Sequence, residues 1–220
     1  MSEEPSRWSQ PFAALLGAYD AQMGFELASI GGKDSMSGTF QDIDVPPTLV
    51  SFAVDVAKQQ EIITPELKQA GSRLVKFSIE KDAYDIPVYE QVKELYRAIT
   101  GYIHTGVILT AYALDGSGVV PALSKMAFGN GLGIVIDSAV EANQLFEREI
   151  GNLVAEVPAD RLKEITVPYM LLGEVTKKPS FVYRDAEVLS LEEALAAWKK
   201  PLEKVFPTRT VNAEKEIETA

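Results

Sequence analysis

The fold class is decided by residues 73–113, which read RLVKFSIEKDAYDIPVYEQVKELYRAITGYIHTGVILTAYA. Residues 73–79 alternate apolar and polar side chains as a strand does. Residues 88–103 carry apolar side chains at helical spacing, and residues 107–113 form a second apolar run of strand length. A strand, a helix and a second strand in succession predict a sheet covered by helices.

The same alternation continues along the chain in both directions. Further helices are predicted at residues 10–24, 119–128, 141–148 and 190–200, and further strands at residues 27–30, 48–56, 133–136, 153–157, 169–175 and 181–188. The glycine-rich residues 31–38 are predicted to be a loop. Pro201 is expected to kink or end the last helix because proline disrupts a helix interior. The predicted fold class is α/β (α+β).

The composition excludes several kinds of site. The chain has 220 residues, of which 46% are hydrophobic and 24% are charged, as in a globular protein. It contains no cysteine, which excludes disulfides, thiolate metal sites and a cysteine nucleophile. Its single histidine, His104, lies at a predicted helix end and is interpreted as a surface or capping residue.

Charge and hydropathy restrict the partners and the location. The formal net charge of -11 argues against nucleic-acid binding, because such a chain repels phosphate backbones. No apolar run is long enough to span a membrane, and residues 1–7 lack the apolar core of an export signal. A cytoplasmic protein with no nucleic-acid or membrane partner is predicted. Local lysines and glycine amides can still hold a small phosphorylated ligand.

The first candidate site is the glycine-framed segment GGKDSMSG at residues 31–38. Its glycines allow close backbone approach, Lys33 carries a cation that attracts phosphate, and Asp34 supplies a carboxylate for magnesium. Gly32 and Ser35 complete the candidate phosphate contacts. The glycine-to-lysine spacing is not that of a Walker loop. The alternative interpretation is an ordinary hairpin with a surface lysine and aspartate.

The second candidate site is the turn LDGSG at residues 114–118, between a predicted strand and a predicted helix. The backbone amides of Gly116, Ser117 and Gly118 lie at the helix N-terminus and can hold an anion. Asp115 can reach a metal ion from the same turn. The alternative interpretation is a tight turn in which Ser117 caps the helix.

Two further motifs have a structural interpretation. The segment FGNG at residues 128–131 is typical of a helix C-terminus with one left-handed residue, a conformation that Asn130 tolerates. Glu147 and Glu149 can face a cleft, but charges this close together are more typical of the solvated face of a helix. No residue is assigned a catalytic role from its type and spacing.

Three groups of segments resemble a known family. They are residues 30–40 with 45–53, residues 123–133 with 145–151, and residues 172–176 with 198–208. In this order they resemble the second synthetase-like unit of formylglycinamide ribonucleotide amidotransferase, also called phosphoribosylformylglycinamidine synthase. The run GKDSM at residues 32–36 is the most specific of them.

The resemblance implies a fold and a domain organisation. The family is similar to two fused aminoimidazole ribonucleotide synthetase-like units, each with an N-type and a C-type domain, followed by a glutaminase domain. Residues 1–57 are then the C-terminal part of an N-type domain, and residues 58–188 are a C-type domain with a mixed sheet covered by helices. Residues 189–220 are a helix and linker toward a glutaminase domain. The chain is expected to be a fragment, which agrees with the absence of the cysteine that a glutaminase needs.

The resemblance also implies a reaction. A carbon–nitrogen ligase of this family uses ATP to phosphorylate the formyl amide oxygen of formylglycinamide ribonucleotide, in purine biosynthesis. Ammonia released from glutamine then displaces the phosphate and gives an amidine. The implied cofactors are ATP or ADP with Mg2+, and the implied partners are the remaining synthetase and glutaminase domains. Relatives carry a more acidic and glycine-rich turn near Asp115, from which this chain departs at Ser117 and Val119.

Two alternatives stay open from the sequence. The chain can be a non-catalytic structural nucleotide-binding or interface module of the same enzyme, because a duplicated unit need not keep its cleft active. It can also be a relative with another substrate, such as a thiamine phosphate kinase or a selenophosphate synthetase. In each case the chain alone is expected to be inactive, and exposed interfaces can drive formation of a homodimer.

Overall fold

The computed structural model describes residues 5–207 apart from 36–38, 41–42 and 45, and it describes residues 33–35, 39–40 and 43–44 by their backbone only. Contacts within the chain define two compact units. Unit 1 comprises Met1–Ile62 with Glu80–Tyr96, and unit 2 comprises Ile63–Ile79 with Arg97–Ala220.

Unit 1 contains one long helix and short antiparallel strand pairs. Helix α1 spans Ser9–Phe25, strands β1 and β4 span Gly31–Ser35 and Thr48–Phe52, and the short strands β2 and β3 span Thr39–Phe40 and Ile43–Asp44. Strand β1 pairs with β4, and β2 pairs with β3. The predicted helix 10–24 is confirmed.

Two expectations for unit 1 are wrong. Residues 27–30 are not a strand. The strand β1 lies instead in the predicted loop, where it pairs with β4 from Gly31 opposite Phe52 to Ser35 opposite Thr48. Strand pairing uses backbone donors and acceptors, which glycine supplies as any residue other than proline does. The predicted buried strand 48–56 ends at Phe52, and all its residues are exposed within the described structure.

Unit 2 is built on a seven-stranded mixed sheet. The strand order is β11-β10-β7-β9-β5-β8-β6. In chain order these strands are β5 Arg73–Phe77, β6 Thr110–Ala113, β7 Gly133–Ile136, β8 Leu153–Val157, β9 Met170–Thr176, β10 Ser180–Tyr183 and β11 Ala186–Ser190. Only β10 and β7 pair in parallel among these neighbours. The predicted mixed sheet is confirmed.

Helices α3 Val119–Asn130 and α4 Leu191–Lys199 lie against this sheet and contact each other. Helix α2 spans Tyr89–His104, and its residues 89–96 belong to unit 1 while 97–104 belong to unit 2. Leu123 and Met126 of α3 are fully buried in one cluster with side chains from four strands, namely Leu74, Ile134, Val154 and Leu172. Burial of this apolar surface is the main force that holds α3 against the sheet. None of the described helices is long and apolar enough to cross a membrane.

Local signals set the ends of α4. Ser190 accepts a hydrogen bond from the Glu193 backbone N–H, and the Glu193 carboxylate accepts from the Ser190 N–H, which completes a capping box. The helix ends at Lys199, and a 3-10 turn containing Pro201 follows it, as predicted.

Two predicted elements of unit 2 differ in the structure. The predicted strand 181–188 is a hairpin of β10 and β11, because Arg184 and Asp185 adopt positive φ angles of 49° and 63° that reverse the chain. The predicted helix 141–148 is only a 3-10 turn, Ala142–Leu145. Glu149 lies beyond it and is buried, with 6% of its surface exposed, so the interpretation of Glu149 as part of a solvated helix face is wrong.

Candidate functional site

The first candidate segment is strand β1 of unit 1. A Cβ atom on Gly32 would lie 2.7 Å from the carbonyl oxygen of Val50, so this glycine allows a close strand approach. The side chains of Lys33, Asp34 and Ser35 lie outside the described part of the structure. The roles of these residues in binding phosphate and magnesium therefore stay predictions.

The second candidate segment is the turn from β6 to α3 in unit 2. Asp115, Gly116 and Ser117 are exposed, and one carboxylate oxygen of Asp115 accepts a hydrogen bond from the Ser117 backbone N–H at 2.7 Å. This bond, with a smaller contribution from the Lys125 cation, lowers the pKa of Asp115 below its ordinary value. Asp115 is therefore ionised at neutral pH.

The start of α3 differs from the predicted serine cap. Its N-cap residue is Gly118, and no side chain caps the helix there. Asp115 closes the turn instead, through its bond to the amide of Ser117. The interpretation of Ser117 as the helix cap is therefore wrong.

Gly118 is required by its backbone geometry. Its φ of +85° is unfavourable for residues with a Cβ atom, and an added Cβ would lie 2.8 Å from the carbonyl oxygen of Glu147 and 3.0 Å from that of Leu145. Gly116, in contrast, has no atom within 4 Å of an added Cβ. The backbone at Gly116 is thus open to a ligand, whereas Gly118 packs against the segment 145–147.

Chemically, the turn offers one ionised carboxylate beside exposed backbone. A carboxylate oxygen is a ligand that magnesium prefers. Across residues 5–207, as far as the structure describes them, no group of three or more histidine, aspartate or glutamate side chains could hold a metal ion. Asp34 belongs to unit 1 and Asp115 to unit 2. The metal roles of Asp34 and Asp115 stay predictions.

The segment 128–131 has the structural role that was predicted. Gly131 ends α3 with a φ of 65°, so the left-handed residue is this glycine and not Asn130. Asn130 donates a side-chain hydrogen bond to the carbonyl oxygen of Leu67 at 2.7 Å. A Cβ on Gly129 would lie 2.4 Å from Cβ of Glu66, so this glycine lets the segment 66–69 approach α3 closely.

A buried carboxylate holds the segment 66–69 to the sheet. Glu156 on β8 is fully buried, and its carboxylate accepts hydrogen bonds from the backbone amides of Lys68 at 2.7 Å and Gln69 at 2.9 Å. Glu156 is not among the candidate residues predicted from the sequence. One signal was present: Glu156 is the only charged residue in the otherwise apolar strand LVAEV.

Parts of known proteins are similar to this chain in sequence. No protein-family model matches it. The chain is 26% identical to phosphoribosylformylglycinamidine synthase subunit PurL of Thermus thermophilus, over 93% of this chain and 32% of that protein. It is also 22% identical to the probable membrane antigen 75 of Saimiriine herpesvirus 2, over 66% of this chain and 13% of that protein.

Solved structures share the fold. Thermotoga maritima PurL complexed with AMPPCP matches with a TM-score of 0.55 at 16% identity, over 68% of this chain and 30% of that chain. The same protein complexed with ATP matches with a TM-score of 0.51 at 16% identity, over 66% and 29%. The chain spans about a third of the length of the curated PurL subunits that it matches. The predicted resemblance is confirmed: over 93% of its length the chain is similar in sequence to about a third of phosphoribosylformylglycinamidine synthase subunit PurL, and it shares the mixed α/β fold of solved PurL structures.

Proposed function

We propose that this chain forms part of the synthetase half of a phosphoribosylformylglycinamidine synthase. The reaction is the ATP-dependent conversion of formylglycinamide ribonucleotide to its amidine, a carbon–nitrogen ligation that uses ammonia from glutamine. The observation that carries this proposal is the PurL similarity, which extends over 93% of the chain. Solved structures of T. maritima PurL complexed with AMPPCP, ATP, ADP and FGAR share its fold.

In the proposed mechanism this chain binds and orients phosphate groups. Lys33, with the backbone at Gly32 and Ser35, would bind phosphate in unit 1, and the amides of residues 116–118 would bind phosphate in unit 2. Asp34 in unit 1 and Asp115 in unit 2 are the residues that would hold magnesium, whose charge would neutralise that of phosphate. No covalent enzyme nucleophile is needed, which suits a chain without cysteine.

Two features of unit 2 support this assignment. Asp115 is exposed and keeps its charge at neutral pH, so its carboxylate is available in the form that binds magnesium. The open space around Gly116 allows a phosphate to reach the backbone of the turn.

The domain assignment is also part of the proposal. Residues 1–57 would belong to an N-type domain, residues 58–188 to a C-type domain, and residues 189–220 would lead toward a glutaminase. Helix α1 contains one charged residue, Asp20, yet none of its 17 residues is buried. A helix this apolar is expected to be covered by protein, which supports the remaining synthetase domains as partners. The proposed location is the cytoplasm.

A second candidate function is structural. The chain would then be a non-catalytic module that binds nucleotide or forms an interface with other domains. One observation favours it: the Asp115 carboxylate already accepts the Ser117 amide within its own turn. A structural site needs no free metal ligand at this position. Binding that is independent of magnesium would therefore distinguish this candidate from the catalytic one.

The test is an NMR titration of the 220-residue chain with AMPPCP, with and without magnesium. We expect weak binding, with magnesium-dependent shifts at the amides of residues 32–35 and 116–118. Asp115→Asn should abolish the magnesium dependence. Asp137→Asn is the matched control, because Asp137 accepts the Ala139 amide at 2.9 Å in a similar turn elsewhere. Absence of shifts at both segments up to about 10 mM nucleotide, a concentration that populates even sites with millimolar Kd, would refute the proposal. Turnover by the chain alone would contradict its need for partner domains.

A further inference from the structure

A buried ion pair lies next to the Asp115 turn in unit 2. The ammonium group of Lys76 on β5 contacts one carboxylate oxygen of Glu149. The two side chains are only 9% and 7% exposed. Charges this deeply buried are costly unless they are paired and hydrogen-bonded, so this contact must be maintained in the folded state.

Asn152 completes the cluster. Its side-chain amide nitrogen donates to the second carboxylate oxygen of Glu149, and its side-chain oxygen accepts the backbone N–H of Ile79 at 2.8 Å. Asn152 is itself buried, with 7% of its surface exposed. The three side chains therefore connect the end of β5 to the segment that leads into β8.

Backbone hydrogen bonds connect this cluster to the turn. The N–H of Glu149 donates to the carbonyl oxygen of Asp115 at 3.2 Å, and the N–H of Leu114 donates to the carbonyl oxygen of Asn152 at 2.8 Å. At the other end of the turn, Gly118 lies directly against the carbonyl of Glu147. The position of the turn thus depends on the segment 147–152, which the buried cluster holds.

We propose that Lys76, Glu149 and Asn152 are positioning residues for the turn at residues 115–118. Apolar replacement of a buried ion pair often preserves or increases stability, so stability alone does not account for this one. Its directional contacts instead restrict where Glu149, and with it the carbonyl of Asp115, can lie. The contribution of these three residues to ligand binding rests on the proposed function, whereas their effect on the position of the turn does not.

The test uses the double variant Lys76→Met/Glu149→Gln of the full chain. These residues approximate the size of the originals, remove both charges and keep an oxygen for Asn152. The matched control is Lys178→Met/Glu187→Gln, which removes an exposed ion pair from the β10–β11 hairpin. Amide hydrogen exchange is measured by NMR at positions 114 and 149, and at Val135 on β7 as an internal reference.

We expect exchange at positions 114 and 149 to accelerate at least tenfold in the test variant, with exchange at Val135 changed less than twofold. The control variant should leave positions 114 and 149 unchanged. Unchanged exchange there in the test variant would overturn the inference, as would equal acceleration at Val135. If the double variant does not fold, Asn152→Ala is measured against the same criteria, because it keeps the Lys76–Glu149 ion pair and removes only the side-chain hydrogen bonds of Asn152.

A second measurement separates this inference from the proposed function. AMPPCP with magnesium is titrated into the wild-type chain and into the test variant, and we expect at least threefold weaker binding by the variant. Faster exchange with equal nucleotide affinity would refute the positioning role in binding. Faster exchange in a chain that never binds nucleotide would refute the proposed function and leave the role of the cluster in holding the turn supported.

Discussion

Replacement of Glu156 by glutamine should destabilise unit 2 substantially. The buried carboxylate accepts two backbone amides, those of Lys68 at 2.7 Å and Gln69 at 2.9 Å. A glutamine side chain offers one oxygen, so its NH2 group must face the second amide donor. Loss of one hydrogen bond to a charged acceptor costs about 1.5–3 kcal/mol. Part of this cost is offset because the neutral glutamine removes the penalty for burying a charge. We expect a net loss of about 2 kcal/mol.

The loss is measurable by urea denaturation followed by circular dichroism. With a slope of about 2 kcal/mol per molar urea, the midpoint of Glu156→Gln should fall by about 1 M. Glu187→Gln is the control, because it removes the same charge from an exposed ion pair with Lys178 and should move the midpoint by less than about 0.3 M. A midpoint for Glu156→Gln as close to wild type as that of the control would refute the reasoning.

Two other predictions concern the turn and the segment that precedes β5. Gly118→Ala places a Cβ 2.8 Å from a backbone carbonyl oxygen at a φ of +85°, so it should lower the free energy of unfolding by about 1–3 kcal/mol. The control Gly116→Ala meets no atom within 4 Å and should change this free energy little. Equal urea midpoints for the two variants would contradict the prediction. Bonds from Lys68 and Thr64 lower the pKa of Glu66 from 4.5 to about 2. Because the folded-state pKa is the lower one, the stabilisation is complete above pH 4.5 and is lost as the pH falls toward 2. In an NMR titration Lys68→Ala should raise this pKa toward 4.5, and an unchanged value would show that Lys68 is not its main cause.

Much of the fold was predictable from local sequence because its signals are local. The apolar spacing of residues 10–24, 88–103 and 119–128 predicted the three longer helices, each within two residues of its observed ends. The serine and glutamates at residues 190–193 predicted the capping box of α4. Hydrogen bonds inside a helix and its caps join residues close in sequence, so they can be inferred without knowledge of distant partners.

The candidate site was predictable only in part. Residue types nominated the Asp115 turn, and the structure confirms that it lies between β6 and α3. The sequence could not show that Asp115 itself closes the turn, since serine and aspartate are both common in this role. For β1, strand pairing replaced the expected loop because a partner strand was available 17 residues further along, at β4.

By itself, the sequence determined the helices, most strands, the mixed α/β class and the PurL resemblance, because periodicity, caps and motifs are written in neighbouring residues. Only the tertiary structure decided the strand order, the burial of Glu156 and the cluster of Lys76, Glu149 and Asn152. Lys76 and Glu149 are 73 residues apart along the chain and meet only when β5 and β8 pair. Whether a charged residue is solvated or buried depends on such long-range pairing, which local composition does not record.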